Sequence, residues 1–221
     1  MKRVVIAGGH GKIARILEKL LAERGDSPAG LIRNPAQVDD LRRVGAEALV
    51  VDLERASVEE VARHLTGADA VVFAAGAGPG SGIPRKATVD RDAAILLADA
   101  AEVAGVKRYL MISAMGADGE TAGEGRDEVF AAYLRAKAAA DDALRARTAL
   151  DWTIVRPGLL TDEPGTGRVQ IAESTGRGSI PRADVAAVLV ELLDAPESVG
   201  ATVELISGDT PIPDAVSDLG R

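Results

Sequence analysis

A tyrosine and a lysine lie four residues apart, at Tyr133 and Lys137. On a helix this spacing places both side chains on one face. A phenol has an ordinary pKa of about 10, and a neighbouring ammonium group favours the phenolate and lowers that pKa. Ser113, at the end of a predicted strand, is placed to orient a carbonyl or hydroxyl group. These three residues form the predicted catalytic set, with proton transfer as its chemistry.

Apolar runs alternate with helical patterns along the whole chain, which is typical of a parallel sheet covered by helices on both faces. We therefore expect residues 1–221 to form a single α/β Rossmann domain, doubly wound, with a mostly parallel sheet of about seven strands and a small C-terminal extension on the substrate side. The predicted strands are Val4–Ala7, Ala29–Ile32, Ala48–Val51, Ala70–Phe73, Tyr109–Ile112, Trp152–Val155 and Val203–Ile206. The predicted helices include Thr88–Ala104, a long one that follows the loop Gly116–Arg126 and runs through Arg147, and Ala183–Leu193.

A glycine-rich turn follows the first strand and opens a helix. It reads Gly8-Gly9-His10-Gly11-Lys12-Ile13-Ala14, with the spacing G-x-x-G-x-x-A. The glycines let the backbone approach a pyrophosphate, and the N–H groups and dipole of the helix N-terminus attract it. Residues 8–13 are therefore the predicted dinucleotide-binding turn. His10 either contacts a phosphate or faces solvent.

The end of the second strand bears on which dinucleotide binds. An acidic residue there favours NAD, whereas an arginine accommodates the 2′-phosphate of NADP. This strand ends in Arg33 and Asn34, and a planar guanidinium suits bidentate phosphate contact. NADP is the expected cofactor, with a solvated surface arginine as the alternative role of Arg33. After the third strand, Asp52 and Leu53 are placed to contact the adenine, although Asp52 could equally be a solvated carboxylate.

Two later runs add specific motifs. They are Thr153-Ile154-Val155-Arg156-Pro157-Gly158 and Arg182-Ala183-Asp184-Val185-Ala186. With the glycine turn and the Tyr–Lys pair, they resemble the short-chain dehydrogenase/reductase superfamily, specifically its atypical, NAD(P)-binding, epimerase/dehydratase-like branch, over nearly the whole chain. The resemblance implies cofactor contacts from Ala74, Ala75, Gly76, Asp90, Ile112, Lys137, Pro157, Gly158, Leu159 and Leu160, the last four at the nicotinamide end.

Two departures from the family and one feature that fits it accompany this resemblance. Asp90 stands where better-known enzymes of the superfamily carry asparagine. Pro157 lacks a backbone donor, and Gly158 permits an unusual backbone angle, as expected of a loop bent around a ligand. The chain stops soon after its last strand, so a sugar-nucleotide pocket is less expected than the family resemblance suggests.

The expected function is an NADP-dependent oxidoreductase that acts on a small carbonyl or hydroxyl substrate. The alternatives are a non-catalytic NADP-binding sensor and a sugar epimerase or dehydratase. A net charge of −8 and five aromatic side chains argue against nucleic-acid binding. The absence of cysteine and the presence of only two distant histidines indicate no metal site. We expect a cytoplasmic monomer or homodimer without a membrane segment.

Overall fold

The structure, a computed structural model, describes residues 1–78, 80–118 and 127–220. Its strands are β1 Arg3–Ala7, β2 Ser27–Ile32, β3 Glu47–Val50, β4 Ala70–Phe73, β5 Arg108–Ile112, β6 Asp151–Pro157, β7 Leu159–Thr161, β8 Arg168–Ala172, β9 Ser179–Pro181, β10 Ala201–Ser207 and β11 Thr210–Pro211. Its α-helices are α1 Lys12–Glu23, α2 Val38–Arg43, α3 Val58–Leu65, α4 Ile83–Arg85, α5 Ala93–Ala104, α6 Glu128–Arg145, α7 Arg182–Leu192 and α8 Ile212–Ser217.

The central sheet has the order β11-β8-β10-β6-β5-β4-β1-β2-β3. All pairs from β10 to β3 are parallel, whereas β8 runs antiparallel to β10 and β11. The strand order reverses between β1 and β4, which is the position where such sheets bind their ligands. The α/β Rossmann prediction is therefore confirmed.

The predicted number of about seven strands was wrong. All seven predicted strands are present, but the sheet formed by the described residues has nine, and β7 and β9 form a separate parallel pair. The four missed strands are two to five residues long. They are too short, and mostly too exposed, to produce a recognisable apolar run.

Two apolar cores lie on opposite faces of the sheet. On one face α1 and α7 pack against the sheet through residues such as Leu17, Leu21 and Leu189. On the other face α3 and α5 pack through Leu65 and Leu97, together with the C-terminal half of α6. The central strands are buried on both sides, which explains why they read as continuous apolar runs.

The helix predicted to begin at Thr88 begins differently. A π-helical turn covers Lys86–Asp92 and runs into α5 at Ala93. This wider turn buries Lys86, Val89 and Asp90. π turns are rare in proteins, but those that occur are often found at functional sites. This segment is therefore a candidate part of a functional site.

The long helix α6 begins at Glu128 and ends at Arg145, two residues before its predicted end. Asp127 caps it by accepting hydrogen bonds from the backbone N–H groups of Val129 and Phe130, at 2.7 and 3.1 Å. Of the preceding predicted loop, residues 119–126 lie outside the described residues. Within the described ranges, no helix is both long and apolar enough to cross a membrane.

Candidate active site

A cavity of about 320 Å³ lies beyond the carboxyl ends of β1 to β4. Its lining includes nine residues of the predicted cofactor set: Gly8, His10, Gly11, Arg33, Asp52, Leu53, Ala74, Ala75 and Gly76. Four segments that are distant in sequence therefore meet at the point where the strand order reverses. This volume falls in the usual range for small-molecule sites.

The glycine turn has the geometry that a pyrophosphate requires. Gly8 has a φ of +78°, and a Cβ there would lie 2.7 Å from the Ala75 Cα atom. The Gly11 N–H donates to the Gly8 carbonyl at 2.7 Å, and Gly11 is the N-cap residue of α1. No side chain among the described residues caps this helix, and its first turn holds no acidic residue. The N-terminal amides of α1 are therefore suited to an anion.

Three other residues of the predicted turn do not line the cavity: Gly9, Lys12 and Ile13. The Gly9 N–H donates to the Leu31 carbonyl at 3.0 Å, and a Cβ on Gly9 would meet the Gly30 Cα atom. Gly9 therefore allows β1 and β2 to approach each other. Lys12 extends away from the cavity to Asp162, at 2.6 Å, and Ile13 packs in the apolar core.

The polar side chains that follow β1, β2 and β3 have partners within the protein. Arg33 donates to Glu54 at 3.1 Å, and the Nε2 atom of His10 lies 2.9 Å from an oxygen of Asp40. Asp52 accepts from the Glu54 backbone N–H at 3.1 Å. Asn34 does not line the cavity but caps the short 3₁₀ turn at Pro35–Gln37, where its side chain accepts from Ala36 N–H at 3.0 Å.

Lys137 connects this cavity to the predicted catalytic residues. Its Nζ atom donates to the carbonyl of Ile112 at 3.2 Å and to that of Ala75 at 3.5 Å, and it lies 3.4 Å from Asp90 Oδ1. Burial lowers the pKa of Lys137, whereas the charges of Asp90 and Asp141 raise it. Asp90 Oδ2 also accepts from the Ala77 N–H at 3.3 Å. The pair therefore lies directly behind the strand-end segment that lines the cavity.

Tyr133 lies one helical turn before Lys137. Its ring centroid is 5.9 Å from the Nζ atom of Lys137 and 5.2 Å from that of Lys86. Burial raises the pKa of the Tyr133 hydroxyl, and Asp90 and Asp141 raise it further. The expected lowering of this pKa by the neighbouring ammonium is therefore outweighed in the protein alone, and the hydroxyl holds its proton at neutral pH.

Ser113 is only 2% exposed. Its hydroxyl makes no hydrogen bond of normal geometry with the described residues, but it is close enough to Asp141 to lower the pKa of that carboxyl. Burial acts more strongly and raises the pKa of Asp141, while Arg156 lowers it. The predicted serine therefore lies beside a buried carboxyl that the motif did not include.

Arg156 belongs to the same buried network. Its Nε atom donates to Asp141 at 2.9 Å, and its Nη2 atom donates to the Ala117 carbonyl at 2.8 Å. Asp118 also pairs with this guanidinium. Arg156 therefore ties the segment after β5 to helix α6, beneath Ser113.

The structure corrects the prediction that Gly158 is needed for an unusual backbone angle. Its φ is not in the left-handed region, and its neighbours explain it instead, because a Cβ there would overlap the backbone of Gly178. Pro157 ends β6 in the core, Leu160 packs against the apolar core, and Leu159 is 75% exposed. None of these residues lines the cavity.

Sequence reasoning missed four residues at this site: Glu54, Arg85, Lys86 and Asp141. Asp141 follows Lys137 by one helical turn, so the periodicity of α6 could have indicated it. Glu54 lies two residues after Asp52, which offered a weaker signal. Arg85 and Lys86 come from the segment that enters the π turn, and no pattern in the sequence indicates that turn.

Together, the doubly wound sheet and the glycine-lined cavity define a Rossmann-type dinucleotide-binding protein. Residues 8–196 match the NAD(P)H-binding family, and the chain belongs to that family. Among residues 1–78, 80–118 and 127–220, no group of three or more His, Asp or Glu side chains is arranged to hold a metal ion.

The chain is similar to proteins of known sequence and, in fold, to proteins of known structure. The chain is 38% identical to the uncharacterized sugar epimerase YhfK of Bacillus subtilis, over 98% of this chain and 100% of that protein. It is also 38% identical to a candidate NAD-dependent epimerase/dehydratase of Bacillus halodurans, with a TM-score of 0.90, covering 99% of this chain and 100% of that one. The oxidoreductase YlbE of Lactococcus lactis is 30% identical, with a TM-score of 0.86, covering 98% and 96% of the two chains. The chain is therefore similar to NAD(P)-binding proteins of the oxidoreductase and epimerase type.

Proposed function

We propose that this protein is an NADP-dependent oxidoreductase that reduces a small carbonyl compound or oxidises the corresponding alcohol. The observation that carries the proposal is the position of Lys137, whose Nζ atom contacts the Ala75 and Ile112 carbonyls on one side and lies beneath the Tyr133 ring on the other. A nicotinamide dinucleotide, when bound, supplies or accepts the hydride. The remaining chemistry is proton transfer by the protein.

Tyr133 is the proposed proton donor. Burial and two carboxylates keep its hydroxyl protonated, so it is prepared to give a proton to a carbonyl oxygen. Lys137 is proposed to stabilise the phenolate that remains, since an ammonium group favours the charged form. In the reverse direction Tyr133 would accept a proton from the alcohol, and the positive charge of an oxidised nicotinamide ring would assist by favouring the phenolate.

Arg33 carries the proposed preference for NADP. It lies at the end of β2 with 56% of its side chain exposed, and it lines the cavity. A guanidinium in this position fits the 2′-phosphate of NADP and offers nothing comparable to the free hydroxyl of NAD. The proposed preference therefore depends first on Arg33, an accessible arginine at the end of β2.

Calorimetric titration with NADPH and NADH tests this assignment. We expect NADPH to bind more tightly, and Arg33→Ala to weaken NADPH binding while leaving NADH binding unchanged. Arg42→Ala is the matched control, because it removes the same charge from an exposed position on α2 outside the cavity. Tighter binding of NADH by the unaltered protein would overturn the NADP assignment.

A second candidate is a cofactor-binding sensor without turnover. The observation in its favour is that Ser113, Tyr133 and Lys137 do not line the described cavity, which covers only the adenine and pyrophosphate end. A screen of small aldehydes and ketones, followed by NADPH absorbance, separates the two. A sensor would bind NADPH tightly and oxidise it with none of them.

The names of the relatives suggest a third candidate, a sugar epimerase or dehydratase. Such an enzyme returns the hydride to its substrate and consumes no cofactor overall. Incubation with sugar nucleotides, followed by product analysis at a substoichiometric cofactor concentration, tests this alternative directly.

A further inference from the structure

Glu54 forms a three-partner cluster at the adenine end of the cavity. Its Oε2 atom accepts from Arg33 at 3.1 Å and from Arg85 at 2.9 Å, and its Oε1 atom accepts from the Thr88 hydroxyl at 2.6 Å. The partners come from three separate segments: the end of β2, helix α4 and the π turn. Two guanidinium groups therefore converge on one carboxylate oxygen.

This carboxylate is charged and within reach of a ligand. The Thr88 hydroxyl has the largest effect in lowering the pKa of Glu54, and Arg85 and Arg33 lower it further against the effect of burial. The side chain of Glu54 is 23% exposed, and those of Arg33 and Arg85 are 56% and 38% exposed. Glu54, Arg33 and Arg85 all line the cavity.

A phosphate group would use the same donors as this carboxylate. Guanidinium groups bind carboxylates and phosphates through the same fork of N–H donors. An anion that approaches Arg33 therefore meets a donor that is already paired, and it meets the negative charge of Glu54 beside that donor. Like charges placed together in a binding site oppose association.

We propose that Glu54 is a specificity-determining residue that competes with the cofactor's 2′-phosphate for Arg33 and Arg85, and so limits the preference for NADP over NAD. This inference rests on the proposed function, in which Arg33 receives that phosphate. Glu54 holds both arginines at the cavity wall while no phosphate is bound. On binding, the 2′-phosphate takes the place of Glu54 Oε2 on the guanidinium groups. NAD lacks this phosphate and binds without the exchange.

The test is calorimetric titration of Glu54→Gln with NADPH and NADH, beside the unaltered protein. Glutamine keeps the shape and the oxygen acceptor but removes the charge. We expect NADPH to bind about tenfold more tightly and NADH to change by no more than about twofold, because only NADPH brings a second anion to the cluster.

Two further variants identify the cause. Glu59→Gln removes the same charge from an exposed position on α3 outside the cavity and should leave both affinities unchanged. Glu54→Gln should increase NADPH affinity less in the Arg33→Ala background than in the unaltered protein. The reason is that one of the two arginines proposed to receive the phosphate is then missing.

The outcomes separate this inference from the proposed function. Weaker NADPH binding by Glu54→Gln would show that Glu54 positions the arginines for the phosphate, and unchanged binding would show no competition; either result overturns the inference. If the unaltered protein does not prefer NADPH and Arg33→Ala has no effect, the NADP assignment itself fails. Glu54 can therefore be rejected while the NADP assignment stands.

Discussion

The ammonium group of Lys137 lies 3.4 Å from Asp90 Oδ1, and the two side chains are 4% and 0% exposed. A buried pair of this kind carries a large penalty for losing only one partner, because the remaining charge stays desolvated. The pair also lies between the cofactor cavity and Tyr133. Its integrity therefore bears on stability and, under the proposed mechanism, on the proton transfer as well.

We expect Asp90→Asn and Lys137→Met each to lower the free energy of unfolding by about 3–5 kcal/mol. The asparagine keeps the acceptor for Ala77, so the loss reports the charge pair itself. The double variant should lose clearly less than the sum of the two, since it leaves no unpaired charge. Urea denaturation of all four proteins measures this coupling. Strictly additive losses would show that the pair does not interact.

Tyr133→Phe removes the proposed proton donor while keeping the ring. Once a carbonyl substrate is found, we expect kcat to fall by a factor of about 10² or more, with the Kd for NADPH unchanged. Tyr109→Phe is the matched control: its hydroxyl is buried in the core and donates to the Ala94 carbonyl at 3.4 Å. That variant should retain its kcat. Full activity in Tyr133→Phe would refute the assignment.

Glu18 predicts a pH dependence of stability. It is fully buried on α1 and neither carboxyl oxygen has a hydrogen-bond partner among the described residues. Burial raises its pKa from 4.5 to about 8, although Arg15 lowers it in part. The folded protein therefore keeps a proton that the unfolded chain releases between these pH values, so stability falls as the pH rises from 4.5 through 8.

Glu18→Gln should remove this decline, because an amide does not ionise. Thermal unfolding from pH 5 to pH 9 checks the prediction. We expect the Tm advantage of the variant over the unaltered protein to grow with pH, by about 2–4 °C for each kcal/mol. Glu23→Gln, on the same helix but 61% exposed, is the control and should follow the unaltered protein. A parallel decline in Glu18→Gln would exclude Glu18 as the source.

Arg156→Met should destabilise the protein by about 3–5 kcal/mol, since it leaves Asp141 buried without its cation. Arg145→Met is the comparison: Arg145 pairs with Asp142, which is 74% exposed. A change within about 1 kcal/mol is expected there. Chemical denaturation of the two variants measures the difference. Equal losses would mean that the buried network of Arg156 contributes no more than a surface pair.

The parts of the fold that follow a simple rule could be predicted from the sequence. The glycine-rich turn after β1 was predictable because its glycine spacing has a direct physical cause. The seven main strands were predictable because buried strands give continuous apolar runs. The Tyr133–Lys137 pair was predictable from helical periodicity. The short strands β8 and β11 were not, because two to five half-exposed residues carry no such pattern.

The electrostatics of the site depended on tertiary contacts. The spacing of Tyr133 and Lys137 suggested a lowered tyrosine pKa. Burial of the hydroxyl raises that pKa instead, and the carboxylates of Asp90 and Asp141 raise it further. Similarly, the position of Arg33 in the sequence suggests an unpaired arginine that is available to bind a phosphate. The pairing of Arg33 with Glu54 depends on the register between β2 and β3, which places the ends of the two strands side by side. The local sequence does not determine that register.

The π turn at Lys86–Asp92 makes the candidate active site sensitive to the number of residues in this segment. A π turn accommodates an extra residue relative to an α-helix, so deleting one residue there would let the segment continue α5 as a regular helix. The segments on either side would keep about the same rotational phase, because the wide turn and the regular turn each close roughly one full circle. The side chains inside the turn, among them the buried Val89 and Asp90, would lose their present directions. A one-residue gap at this point in an alignment would therefore indicate a relative with a differently built active site, even where every motif is retained.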